Sequence, residues 1–373
     1  MQLIELSTVR HRVSVGVPLP FNVRQIDHTL LLARGQVVDS IDRMEALFER
    51  GMLVDIEELK TPRDRILEAP AEKLPALWNQ SIDHVGQVLL VLPQEGFDTV
   101  LDEVAQPLVA LVERDPNLAI FQVLRQHGNQ HTQYGVNHSI HCAIAAFLAA
   151  HRLGWGAPAM QRAFKAALTM NVSMLELQGQ LAMQTEPLSE QQREAIHAHP
   201  QHSVQMLELA GISDPDWLQA VMQHHETSNG AGYPAGLVEV TPLAALLHHC
   251  DVYTAKLSPR QGRESLTADV AARKLFAANP ADPVAASIIK EFGVYPPGCL
   301  VRLTSGETGI VVRRGTHAHT PQVAAITNER GATLSEPVLR DTSRPEHAIA
   351  AVVGMAADRL GVALESVMAL ICV

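Results

Sequence analysis

The amino-acid sequence predicts a mainly α-helical protein, a helical bundle flanked by a small β-rich N-terminal domain and a small C-terminal β element with a terminal helix. Three observations carry this expectation. Apolar residues recur at helical spacing from about residue 75 to about residue 290. On either side of that stretch the pattern has period two. A chain of 373 residues also exceeds one ordinary domain while offering ample material for a core.

In the N-terminal part, VSVGV and TLLLARGQVV alternate apolar and polar positions between Gly, Pro and Asp, as short strands and turns do. Residues 1–60 are therefore expected to form the small β-rich domain, and 61–124 a linker and leading helices. The charged stretch from Glu57 to Lys73, interrupted by Pro62 and Pro70, suits a linker or a short connecting helix. Helical spacing then appears in Val85, Val88 and Leu89, in Val104, Leu108 and Leu111, and in Ile140, Ile144, Phe147 and Leu148. Ser189 with Gln192 three positions later has the form of a capping box, which puts His197 and His199 within a helix or at its end. Residues 125–290 are the expected central domain.

After Tyr295-Pro296-Pro297-Gly298 the pattern returns to period two, with LVRL, a turn at Ser305-Gly306, and TGIVVRR. Residues 291–373 are thus expected to be a β extension and a helix, the helix spanning the Ala- and Val-rich stretch from about His347 to Val373.

Composition excludes several functions. The net charge is −11, and the Lys and Arg residues are scattered, which argues against coating duplex DNA or an anionic membrane. MQLIELSTVRHR lacks the pattern of a signal peptide, and no apolar run approaches membrane-spanning length. Cys142, Cys250, Cys299 and Cys372 stand far apart, implying neither a disulfide framework nor a cysteine zinc site. The expectation is a cytoplasmic protein with neither DNA nor membrane as partner.

Eighteen histidines are many for this length. Several are grouped: His138 with His141, His197 with His199 and His202, His224 with His225, and His248 with His249 beside Asp251. A single histidine on a helix is most simply a surface or hydrogen-bonded core residue. Groups are different, because two imidazoles at a helix end can converge on one ion. Asp251 lies in the apolar segment LLHHCDVYTA, where a carboxylate is costly to bury without a partner. A metal or another cation is the natural partner, although hydrogen bonding among the histidines and Asp251 would also satisfy them.

The string HHETSNGAGYP resembles the signature of the HD-GYP family, a branch of the HD superfamily related to cyclic di-GMP phosphodiesterases. The order NHSIHCAIAAFLAAHRLGW, AALTMNVSM, LSEQQREAIHAHPQHSVQML and HHCDVYTAKLSPRQGR around it is similar to the family as well. The resemblance covers roughly residues 125 to 290, and the flanking VSVGVPLPFNVRQIDHTLLLARGQ and YPPGCLVRLTSGETGIVVRR look like extensions of some members.

The resemblance implies a helical bundle holding two or three metal ions, usually iron or manganese, that opens cyclic di-GMP with activated water. Carried over residue by residue, it implies metal ligands at His138, His199, His224, His225 and Asp251. It also implies phosphate-binding arginines at Arg260 and Arg263, and a signature loop at Gly232, Tyr233 and Pro234. Guanidinium forks suit phosphate oxygens.

The pattern breaks in one place. Where the family carries His-Asp followed shortly by Gly-Lys, this chain reads Met170-Asn171-Val172-Ser173-Met174. Met170 is a poor ligand for hard ions, Asn171 lacks the charge that bridges two metals, and Met174 offers no ammonium to a phosphate. Tyr134 stands where members with a third metal carry glutamate. At most one site for iron, manganese or zinc is expected, formed around His199, His224 and His225.

These features imply a signalling protein that binds cyclic di-GMP, or a partner such as a diguanylate cyclase domain through the Gly-Tyr-Pro loop, with little or no hydrolysis. The alternative is a metal-dependent phosphodiesterase with a mononuclear or altered binuclear site. The intact Gly-Tyr-Pro segment speaks against a third role, a structural regulator without a nucleotide pocket.

Overall fold

The computed structural model describes residues 2–92, 96–125, 131–261, 265–354 and 364–371. The chain divides into two compact units, Met1–Glu68 and Ala69–Val373.

The first unit contains β1 (Leu3–Glu5), β2 (Val23–Arg24), β3 (Leu30–Leu32), α1 (Ile41–Glu49), β4 (Leu53–Asp55), α2 (Ile56–Leu59) and α3 (Pro62–Leu67). Its antiparallel sheet has the order β1-β4-β2-β3 over a core that includes Leu6, Leu19, Phe21, Val23 and Val54. The expected strand at VSVGV does not form. Gly16 adopts φ +80° and its amide donates to the Val38 carbonyl, while Val15 and Val17 face solvent, so the alternation has no sheet to serve. In TLLLARGQVV the strand is limited to Leu30–Leu32, because Gly35 turns the chain at φ +87°.

The second unit begins with α4 (Leu74–Leu90), α5 (Phe97–Arg114), α6 (Pro116–Arg125) and α7 (His131–Arg152). It continues with α8 (Ala157–Thr169), α9 (Leu175–Met183), α10 (Glu190–Leu209) and α11 (Pro215–Gln223). The helical part closes with α12 (Pro242–Leu257), α13 (Ala268–Ala278) and α14 (Pro283–Phe292).

Helix α7 is the axis of this bundle and packs against α8, α9, α12 and α14. Its sequence explains why so many neighbours can approach. Ala143, Ala145, Ala146, Ala149 and Ala150 are fully buried, and a Cβ at Gly135 would lie 2.4 Å from the Leu175 carbonyl oxygen. Small residues thus bring α9 and the segment before it close to the axis.

Several starts are specified locally. Ser189 and Gln192 form the reciprocal capping box at the head of α10, Asp214 caps α11, and Thr241 caps α12. The end of α8 is tied to α11, since Trp217 Nε1 donates to Thr169 Oγ1 at 3.0 Å. These anchors hold the segment that follows Thr169.

Beyond the helices, β5 (Leu300–Leu303), β6 (Thr308–Arg313), β7 (Gln322–Thr327), β8 (Thr333–Asp341) and β9 (Ile349–Val352) form an antiparallel sheet in the order β8-β7-β6-β5-β9. The start of the expected terminal helix is corrected by β9, whose edge pairing with β5 takes up residues from Ile349 onward; α15 spans Leu364–Ile371. Among the described residues no helix is long and apolar enough to cross a membrane.

Removing the α10 cap by Ser189→Ala is expected to lower the stability of the second unit by ~1 kcal/mol, read as a lower urea midpoint with an unchanged slope.

Candidate metal centre

Five residues implied as ligands converge from four places in the bundle. His138 comes from α7, His199 from α10, His224 and His225 from the end of α11, and Asp251 from α12. His138, His199, His225 and Asp251 line a cavity of about 160 Å³ together with Asn171, Met174, Tyr233 and Arg260. Donor atoms group in two sets, His199 with His224 and His225, and His138 with Cys142 and Asp251, each within 4.8 Å.

The first set has fixed tautomers. His199 Nδ1 lies 2.5 Å from the Ile196 carbonyl oxygen, and His224 Nδ1 lies 2.6 Å from that of Val221. A carbonyl only accepts, so each Nδ1 carries the hydrogen and each Nε2 of the neutral rings presents a lone pair. Those two Nε2 atoms face each other at 3.1 Å with no hydrogen to share. Protonating one ring would relieve the contact, but burial pushes both imidazoles below their ordinary value, with the neighbouring histidines adding to the effect. His225 is pushed down to about 4, burial again being the main cause. Facing lone pairs in neutral, buried rings suit a cation, and Nδ1–H bonded to backbone carbonyls is the support that metal-binding histidines require.

The second set is held by charge. His138 Nε2 donates to Asp251 Oδ1 at 2.8 Å, the partner that the buried carboxylate needs. Burial opposes ionisation of Asp251, but the His138 hydrogen bond and the imidazoles of His138, His225 and His224 outweigh it and hold the carboxyl well below the usual range. Cys142 Sγ lies 3.7 Å from His138 Nε2 and 3.1 Å from Thr254 Oγ1. Burial first, then Asp251, pushes its thiol well up.

The segment where the resemblance implies His-Asp and Gly-Lys is well packed. Met170 is fully buried and is not among the residues that line the cavity. Asn171 is 1% exposed and lines it, its Nδ2 having no acceptor among the described residues. Met174 lines it as well. Ser173 Oγ donates to the His199 carbonyl at 3.0 Å and lies 2.9 Å from Ser203 Oγ, binding this segment to α10.

The signature loop is shaped from below. Glu226, buried to 2% exposure, accepts from the amides of Ala235 at 2.7 Å and Leu237 at 2.9 Å. Tyr233 stacks on His225 and on His197, each at a ring separation of 4.5 Å, and precedes Pro234 through a cis peptide bond. Gly232 is required by close approach, since a Cβ there would lie 2.5 Å from both Glu226 Cα and the His225 carbonyl oxygen.

Arg260 lies at the cavity, where its Nε donates to Tyr134 Oη at 2.8 Å and its guanidinium lies 5.4 Å from the Tyr134 ring. Tyr134 in turn stacks on His138 at 6.3 Å. Arg263 lies outside the described residues. His248 and His249 serve other ends: His248 Nδ1 donates to the His224 carbonyl at 3.0 Å, and His249 Nε2 meets Asp282 at 2.7 Å. Cys142, read from the sequence as an isolated core cysteine without chemistry, stands i, i+4 from His138, a spacing that places both on one helix face.

The HD domain family matches residues 122–280. The chain is 28% identical over 242 residues to Cyclic di-GMP phosphodiesterase PA4108 of Pseudomonas aeruginosa, the match covering 63% of this chain and 58% of that protein. The chain therefore spans less than two thirds of that relative's length. Among solved structures it is similar to Bd1817, an HDG"Y"P protein from Bdellovibrio bacteriovorus, with 16% identity and a TM-score of 0.45 over 77% of this chain and 97% of that one.

The metal-free protein is expected to lose stability as pH falls from 6.5 toward about 4, because the unfolded histidines take up protons that the buried neutral rings refuse. Above 6.5 both states are neutral at these rings and the contribution is fully present. Urea midpoints across this range in chelator-treated protein would show the slope, and His225→Ala should flatten it. Gly232→Ala should displace the His225 carbonyl and lower metal affinity at least about tenfold while helical circular dichroism is retained, measured by calorimetric titration.

Proposed function

We propose that this chain is a member of the HD-GYP family of metal-dependent phosphohydrolases, a bacterial cyclic di-GMP signalling protein that binds nucleotide or partner proteins with little or no hydrolysis.

The observation that carries this reading is Asn171, fully enclosed beside His138, His199, His225 and Asp251 at the position where the family places its bridging aspartate. Two cations held close together need negative charge between them. A neutral amide leaves their repulsion uncompensated. Met170, turned into the core, removes a further ligand, and Met174 puts a thioether where an ammonium would meet a phosphate.

What remains supports binding. A divalent ion at His199, His224 and His225, whether iron, manganese or zinc, supplies Lewis acidity toward a phosphoryl oxygen or a water. Arg260, oriented by Tyr134, offers its guanidinium to a phosphate at the cavity mouth, with Arg263 as its implied companion. The cavity, at about 160 Å³, is smaller than the ~300 Å³ of the smallest ordinary ligand pockets, so a cyclic dinucleotide would lie over the mouth and against the Gly232-Tyr233-Pro234 loop. The same loop is the surface we assign to partners such as a diguanylate cyclase domain.

A second reading, a phosphodiesterase working with a mononuclear site, is favoured by the facing Nε2 atoms of His199 and His224, since an unused site has no need of them. Metal analysis of the purified protein with a turnover assay under added iron or manganese separates the two. The first reading expects bound cyclic di-GMP without linear product, and a measurable rate appearing in Asn171→Asp. Metal-dependent linearisation by the unaltered chain, abolished in His225→Ala, would establish the second reading instead.

A further inference from the structure

A second cavity, of about 690 Å³, opens where the helical bundle meets the C-terminal sheet. It shares no lining residue with the cavity of the metal centre. Its walls come from the ends of α7 and α14, the start of α6 and the turn that leaves β6. Its volume falls within the ~300–1,000 Å³ of ordinary small-molecule sites, which favour such junctions.

Buried Glu291 on α14 frames this cavity by holding a guanidinium on each carboxylate oxygen. Arg152 Nε donates to Oε2 at 2.6 Å, and Arg314 Nη1 donates to Oε1 at 2.9 Å. Arg314 is fixed further, because the Glu291 carbonyl accepts from its Nη1 at 2.7 Å and Asn117 Oδ1 accepts from its Nε at 3.0 Å. Among the described residues Arg152 uses only its Nε in this way, and its side chain is 40% exposed. Lys290 also lines the cavity and has no carboxylate partner among the described residues. Three cationic side chains thus meet one carboxylate, which leaves a surplus of two positive charges with His151 and His317 neutral. In a chain of net charge −11 that surplus is local and distinct. The C-terminal dipoles of α7 and α14 oppose it and the N-terminal dipole of α6 supports it, so the side chains set the sign.

We propose that this cavity is a binding site for a small phosphomonoester with a flat body, a nucleoside monophosphate in size and charge. The surplus of two positive charges matches a dianionic phosphate. Guanidinium forks held in place beforehand suit its oxygens and cost little ordering when it binds. Tyr295 lines the same cavity with the apolar Leu148, Val294 and Pro321, and these give a base a surface to lie on. The site needs no metal, and loss of cyclic di-GMP binding at the histidines would leave it untouched.

Calorimetric titration of chelator-treated, full-length protein with adenosine 5′-monophosphate tests this assignment. One saturable site per chain is expected, with inorganic phosphate as a competitor. Lys290→Glu, at an exposed position that the fold does not depend on, should weaken nucleotide binding about tenfold or more, and Arg152→Gln should weaken it in the same direction. Tyr295→Ala should weaken the nucleotide while leaving inorganic phosphate unchanged. Arg260→Gln should leave both unchanged, because Arg260 lines the other cavity. Absence of saturable binding would overturn the proposal, as would binding that survives both Lys290→Glu and Arg152→Gln. Binding lost in Arg260→Gln but kept in Lys290→Glu would move the phosphate to the metal centre and overturn it too. Tighter binding of succinate than of inorganic phosphate would refute the phosphomonoester assignment.

Discussion

The site depends on two short hydrogen bonds from histidine to the backbone. His199 and His224 each give their Nδ1 hydrogen to the carbonyl three residues earlier, and this decides which nitrogen faces the cavity. The geometry is a property of helix ends and interiors, where a side chain can lean back along its own turn. It makes two neutral rings converge lone pair to lone pair, a costly arrangement in the absence of a positive charge. The fold sustains it because α10 and α11 are each capped, and because Trp217 ties α11 to the end of α8.

Around this fixed pair runs the segment from Met170 to Met174. Ser173 joins the segment to α10 through the His199 carbonyl, so the turn after α8 runs close to the histidines. Asn171 presents an amide to the cavity and Met174 a thioether, while Met170 is buried away from it.

Much of this arrangement can be read from sequence, and the limits have physical causes. The Ser189 and Gln192 spacing announces α10 because a capping box is a local interaction. Paired His224 and His225 before a glycine-rich turn announce a cluster, whereas the His199 that faces them comes from 25 residues earlier in the chain. His248 and His249 look equally promising as a string, yet one holds a carbonyl and the other meets Asp282, a partner 33 residues away that no local pattern names. VSVGV fails as a strand because alternation reports a strand only when a sheet face is there to bury it. Cys142 is silent in sequence because a buried cysteine among alanines looks like core filler until α12 brings Asp251 to it.

The buried carboxylate of Glu226 grips the signature loop by the amides of Ala235 and Leu237, groups that every residue except proline possesses. Ala235, Leu237 and Val238 meanwhile turn their side chains to solvent. The interior anchorage is consequently blind to the identity of the outer side chains, so the loop's exterior can be rewritten by mutation without disturbing the histidines beneath it. The loop's outer face and the donor groups beneath it can therefore change as separate variables.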